Sequence, residues 1–128
     1  KNQVMIFEGV HVDDDVFLGP GVIFTNDLRP RAYLKRHGAE LLTTTVKCGA
    51  TLGAGVVVVC GVTIGPYAFI GAGAVVTRDV PPHGFVVGNP GQLVGWACTC
   101  GERLSSDLRC TCGRAFERQG TGLCQQAA

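Results

Sequence analysis

Charge is scarce in this 128-residue chain: Asp, Glu, Lys and Arg make up 16%, and the two signs nearly cancel to a formal +1. A chain so weakly charged, and 46% apolar, does not fit intrinsic disorder. The near-balance gives no electrostatic footprint for nucleic acid or an anionic membrane surface. No apolar run approaches the roughly 20 residues of a membrane-spanning helix, and no secretory signal is visible. The collagen period, glycine at every third position, is absent. Seven cysteines make an odd count, and four of them form tight pairs near the C-terminus. That usage suits a reducing compartment, here taken as the cytoplasm, better than a disulfide framework.

What is present is glycine, 19 of 128 residues and about double the ordinary share, mixed with Val, Ile and Leu. The aliphatic positions keep a period of six: Ile6, Val12, Leu18 and Phe24, then Val46, Leu52, Val58, Ile64, Ile70 and Val76. Four residues after most of them comes a second small or apolar side chain, such as Val22, Ala50, Val56, Ala68 or Ala74. No α-helix holds period six. The register predicts an all-β chain, a parallel β-helix in which each hexad is a short strand plus a corner. Three hexads close one triangular coil, and this phasing stacks Leu18-Gly19-Pro20-Gly21, Leu52-Gly53-Ala54-Gly55 and Ile70-Gly71-Ala72-Gly73 on one edge.

The expected organisation is a β-helix over 1–91, a cysteine-containing segment over 92–116 and a disordered tail over 117–128. A loop without hexads, NDLRPRAYLKRHGAELLTTT, leaves one corner over 26–45 and returns to the same place. Pro81 and Pro82 end the coils, and a last strand is expected near Phe85 to Val87. Nothing ahead of Ile6 is suited to cap a first coil, so further coils are expected before this start. Alternation along the strands gives three outward columns: Ile23, Val57 and Val75; Phe17, Thr51 and Phe69; His11, Thr45 and Thr63. The all-apolar Ile23 column predicts a surface covered by another copy of the chain, with simple tolerated exposure as the alternative.

The runs GVHVDDDVFLGPGVIFTNDLRPRA, VKCGATLGAG, VVCGVTIGPYAFIGAGAVVTRDVPPHGFVVGNPG and GWACTCGERL resemble the hexapeptide-repeat acyltransferase superfamily, whose fold is a left-handed parallel β-helix. More narrowly they are similar to the bacterial nucleotide-sugar 3-N-acetyltransferases, among them those acting on UDP-linked 2-acetamido-3-amino-glucuronate in surface-polysaccharide synthesis. The resemblance covers roughly residues 1 to 116. It implies a homotrimer with its active site between adjacent subunits and acetyl-CoA, the co-substrate, lying along the coil edge. One departure stands out: relatives commonly show Ala-Arg after the Gly-Asn-Pro, and this chain has Gly91 and Gln92. A basic contact to CoA phosphate is thereby lost or moved elsewhere.

Acetyl transfer from a thioester to an amine needs a neutral, aligned amine, donors for the developing oxyanion, and a base near neutral pH. Asn26 stands where the FTN motif of the resemblance places the residue facing the sugar amine; its plainer reading is a corner asparagine tolerating left-handed backbone. The phasing puts Asn26 in one column with Glu8, Cys60 and Arg78, so Glu8 is a candidate proton acceptor and Arg78 a candidate CoA contact. His11 points outward beside the loop's return and is the best-placed histidine for a base; His37 and His83 read as solvated. Asp27, Arg29 and Arg31, with Lys35 and Arg36, suit a diphosphate or sugar carboxylate, although surface loops are commonly charged. Gly53, Ala54, Gly71 and Ala72 are candidate backbone contacts to CoA, with corner geometry as the alternative. Cys98-x-Cys100-Gly and Cys110-x-Cys112-Gly suit one structural Zn²⁺ held by four thiolates.

Two other classes share the repeat. A γ-class carbonic anhydrase needs three metal-binding histidines, which His11, His37 and His83 do not form. A non-catalytic trimeric scaffold remains open, as does a transferase for dTDP-linked amino-deoxyhexoses.

Overall fold

In a computed structural model, residues 6–34 and 42–127 are described. The hexads become strands at the expected places. The first coil holds β1 (Val10–Val12), β2 (Phe17–Leu18) and β3 (Ile23–Phe24). The second holds β4 (Thr44–Val46), β5 (Thr51–Leu52) and β6 (Val57–Val58), and the third β7 (Thr63–Ile64), β8 (Phe69–Ile70) and β9 (Val75–Val76). They stack as three parallel sheets, one per side of the triangle, with β1-β4-β7 and β3-β6-β9 forming two of them. The third is longer, in the order β2-β5-β8-β10-β11, where β10 is Gly84–Val87 and β11 is Gln92–Trp96.

The outward columns stand in register as expected. Ile23 pairs with Val57 and Val57 with Val75; His11 pairs with Thr45 and Thr45 with Thr63. The aromatic column runs Phe17, Thr51, Phe69 and gains Phe85, whose ring stacks on Phe69 at 5.0 Å. Coils are tied by main-chain bonds such as Phe17 N–H to Ala50 O and Thr51 N–H to Ala68 O, both 2.9 Å. From Val22 onward the inward positions, led by Phe24, Leu52, Ile64 and Ile70, are buried in one core, whereas Ile6 and Val12 are exposed and Leu18 is half-buried. Phe24, Leu52, Ile64 and Ile70 each contribute on the order of 1.5–3 kcal/mol by leaving water.

Partners lie 18 residues apart between the second and third coils (Thr45 and Thr63) and 34 apart between the first and second (His11 and Thr45). The loop therefore adds 16 residues to one turn without shifting any strand. It ends earlier than expected, because Thr44 already hydrogen-bonds Gly9 O at 2.9 Å and opens β4. Lys35, Arg36, His37 and Glu40 lie outside the described residues.

Two expectations for the C-terminal part are corrected. Gln92–Trp96 is not detached from the β-helix: β11 pairs antiparallel with β10 as the edge of the long sheet. Nor is the tail disordered. Strands β12 (Phe116–Gln119) and β13 (Gly122–Gln125) form a hairpin around Gly120-Thr121, with Gly120 at φ +59°. Phe116 and Leu123 anchor it by packing with Cys98 in a second core cluster. A polar surface had hidden those two apolar anchors. No helix of the described residues is long and apolar enough to cross a membrane.

Candidate active site

The corner after β3 is held before any side chain reaches out of it. Thr25 N–H binds Val58 O at 3.1 Å, and the Thr25 hydroxyl accepts the Cys60 N–H at 3.0 Å. On the facing turn, buried Thr44 accepts the Gly61 N–H at 3.0 Å. The chain direction at Asn26 is thus fixed by the second coil. The Asn26 side-chain amide donates to the Glu8 backbone carbonyl at 3.5 Å. The expected column is present here as a main-chain contact. The Glu8 carboxylate is not the group that Asn26 meets, and Glu8 is exposed.

Asp27 follows and turns the loop, its carboxylate accepting the Arg29 N–H at 3.0 Å. Arg29 and Arg31 are exposed, and Arg31 bridges to Leu34 across a small turn. His11 lies outward and exposed in the His11–Thr45–Thr63 column, on the strand that starts from the Glu8 corner.

The glycine edge gives a mixed result. The amides of Gly53 and Gly71 are consumed by the coil ladder, binding Ile70 O at 2.9 Å and Val86 O at 2.8 Å, so they are not donors for a ligand. Glycine at 53 is required by packing, because a Cβ there would lie 2.7 Å from the Ala72 nitrogen. Ala54 and Ala72 differ: both are exposed, and among the described residues their amides form no hydrogen bond. These two remain usable donors on that edge.

The two edges do not meet within one chain. Gly53 to Gly55 lead into β6 and Cys60 follows it, so Ala54 and Asn26 mark opposite ends of the β3-β6-β9 sheet. Between them lies the Ile23–Val57–Val75 column, in which Ile23 is 37% exposed. Arg78 sits at the C-terminal end of the Asn26 edge, in a cleft of about 270 Å³ with Asp79, Gly91, Gln92 and Leu93. It is the sole basic side chain lining that cleft among the described residues. Gly91 closes one wall, its N–H on Val75 O at 2.8 Å; a Cβ there would lie 2.9 Å from the same oxygen.

His83 is not solvated as expected. It is 6% exposed, at φ +64°, its Nδ1 2.8 Å from Ala97 O and its ring stacked against Tyr67 at 5.4 Å. Burial lowers its pKa from the ordinary histidine value, against the opposing hydrogen bond to Ala97. The signal was concealed because Tyr67 and Phe116, which enclose the ring, are far from it in sequence. Cys98, Cys100, Cys110 and Cys112 do converge, their sulfurs all within 4.8 Å of one another. Burial pushes the Cys98 thiol up to about 12, while the Arg114 main-chain and side-chain N–H groups bring Cys112 down to about 6.

Known proteins match this arrangement. The bacterial transferase hexapeptide (six repeats) family matches residues 43–78. The dTDP-3-amino-3,6-dideoxy-alpha-D-galactopyranose 3-N-acetyltransferase of Aneurinibacillus thermoaerophilus is 43% identical over 77 residues, 58% of this chain and 40% of that protein. Among solved structures, a maltose O-acetyltransferase from Clostridium difficile 630 superposes with a TM-score of 0.64 at 29% identity, over 74% of this chain and 53% of the other. A variant of the perosamine N-acetyltransferase from Caulobacter crescentus, in complex with CoA and GDP-perosamine, gives 0.59 at 26%, over 74% and 38%. The chain spans about two fifths of the curated relative it matches. On its six-residue period, its coil register and these matches, the chain carries the left-handed β-helix of hexapeptide repeats and is similar to the acetyltransferases built on it.

Proposed function

We propose that this chain is part of an acetyl-CoA-dependent N-acetyltransferase that acylates the 3-amino group of a nucleotide-linked amino sugar for surface-polysaccharide synthesis. We further propose that it works in the cytoplasm as a homotrimer. One observation carries the reading: Asn26 and the unpaired Ala54 and Ala72 amides lie on opposite edges of one apolar face. Packing that face against a second copy brings the Asn26 edge of one subunit beside the Ala54–Ala72 edge of its neighbour. A site between subunits is then complete, with CoA along one edge and the sugar on the other.

The chemistry follows from that placement. The amine nitrogen attacks the thioester carbonyl, the carbon–sulfur bond breaks, and the one proton that the amine loses is relayed to the departing CoA sulfur, which leaves as the thiol. Because the Asn26 Nδ2 is engaged by Glu8 O, its Oδ1 is the end left to accept the amine N–H and align the lone pair. His11 is the proposed acceptor of the proton, lying outward on the strand next to that corner. Arg29 and Arg31 are proposed to meet the sugar carboxylate or diphosphate, and Arg78 a CoA phosphate, in place of the arginine that Gln92 lacks.

The substrate is proposed to be a UDP-linked amino-uronate. A second reading, a dTDP-linked 3-amino-dideoxyhexose, is favoured by what the Aneurinibacillus relative acts on. Release of free CoA thiol from acetyl-CoA, measured with the full-length protein and each sugar nucleotide, tests both. Turnover of the uronate is the expected result. Preference for the dideoxyhexose replaces the substrate, and no thiol release with any 3-amino sugar nucleotide overturns the function.

A further inference from the structure

Beyond the β-helix, the segment 96–116 is a tandem repeat offset by twelve residues. Trp96-Ala97-Cys98-Thr99-Cys100-Gly101 is followed by Leu108-Arg109-Cys110-Thr111-Cys112-Gly113. The two copies fold alike. Gly101 N–H binds Cys98 O at 2.9 Å and Gly113 N–H binds Cys110 O at 3.0 Å, with the two glycines at φ +98° and +102°. Cys98 N–H meets Glu102 O at 2.8 Å, and Cys110 N–H meets Arg114 O at 2.9 Å. Each hairpin closes again further out, Leu104 N–H on Trp96 O and Phe116 N–H on Leu108 O, both 2.9 Å. One conformation written twice presents two sulfurs from each hairpin to a common point.

The sulfur geometry selects a ligand. Across the hairpins Cys98 lies 3.6 Å from Cys112, and Cys100 3.6 Å from Cys110. A disulfide requires about 2.05 Å. Tetrahedral zinc with Zn–S near 2.3 Å sets its sulfurs about 3.8 Å apart. Four thiolates around a divalent ion carry a net double negative charge, and Arg114 donates to Cys112 at 3.3 Å to offset it.

Both hairpins also hold the same point on the end of the β-helix. From the first, Ala97 N–H binds His83 O at 2.8 Å, and Arg103 binds Val94 O and lies over the Phe85 ring at 5.2 Å. From the second, Phe116 packs on the His83 ring at 4.8 Å. The terminal hairpin adds Leu123 N–H on Pro82 O at 3.2 Å, with Gly122 placed where a Cβ would meet Pro82 at 2.5 Å. Apart from the cysteines, the core that the two grips share is small: Phe116 and Leu123, with Trp96, Leu104 and Leu108 packed against them.

We propose that Cys98, Cys100, Cys110 and Cys112 bind one structural zinc ion that fastens the two hairpins to each other and so closes the C-terminal end of the β-helix. Four protein ligands fill the tetrahedron, so the ion takes no part in the acetyl transfer.

The test uses the full-length protein purified under reducing conditions. Elemental analysis should give about one zinc per chain, falling several-fold in C100S and C112S, whose side chains are exposed. Hydrogen exchange should then quicken at His83 and across Gly84–Trp96 in the variants and on chelation, and slow again when zinc is returned. A protein that folds without metal and with four free thiols, iron in place of zinc, or a disulfide across the pairs overturns the site. Stoichiometric zinc whose removal leaves exchange at His83 unchanged overturns the fastening.

Discussion

The amide of Asn26 reaches back one coil and donates to the main-chain carbonyl of Glu8 at 3.5 Å. A backbone acceptor cannot titrate, so the contact fixes which end of the amide faces outward at every pH. Asn26→Ala should therefore lower turnover about ten- to a thousandfold, or roughly 1.4 to 4 kcal/mol, with CoA affinity nearly unchanged. Steady-state kinetics with a CoA titration check it, and unaltered turnover would remove Asn26 from the reaction.

His11 answers to the same measurement. If it takes the proton, His11→Asn should lower turnover on the order of a hundred- to ten-thousandfold while leaving CoA affinity nearly unchanged. A variant that keeps its turnover assigns the proton to water or to another group.

Assembly should depend on the outward valine of β6. Val57→Glu places a charge in the middle of the Ile23–Val57–Val75 column and should convert a trimer to monomers in light scattering at micromolar concentration. A trimeric variant, or a monomeric parent, would show that some other surface carries the contact.

The buried His83 makes stability pH-dependent in a stated direction. Its pKa is lowered in the fold, so below about 6.5 the unfolded chain takes up a proton that the native state refuses. Stability should be flat above that pH and fall with acidification until the depressed native pKa is reached. Urea midpoints between pH 5 and 8 should show this slope, and His83→Asn, which tolerates the positive φ, should flatten it.

Core truncation offers a control away from the site. Ile70 is fully buried in the third coil, and Ile70→Ala should cost about 2–5 kcal/mol in urea denaturation.

How much of this was legible depended on whether a feature is local in sequence. The period of six reports alternation within single strands, so coil number, strand register and all three outward columns could be read from Ile23, Val57 and their kin. The ladder use of the Gly53 and Gly71 amides was not legible, because it depends on which carbonyl of the next coil faces each corner. His83 was misread for a similar reason: it is buried by Tyr67, Phe116 and Ala97, three segments whose convergence has no sequence period. The tail hairpin had a local signal in Gly120-Thr121, outweighed by the polar residues around it.

The insertion after Phe24 adds 16 residues, yet the strands on either side remain in the register of an uninterrupted coil. Scaffold and loop are thereby separable units of change. A lineage can lengthen, shorten or rewrite the loop that carries Asp27, Arg29 and Arg31 while every coil-to-coil bond beneath it stays where it was. On the sugar contacts proposed for Arg29 and Arg31, a change of substrate would then need no change of frame, and a loop taken from a relative at the same corner should graft as a cassette.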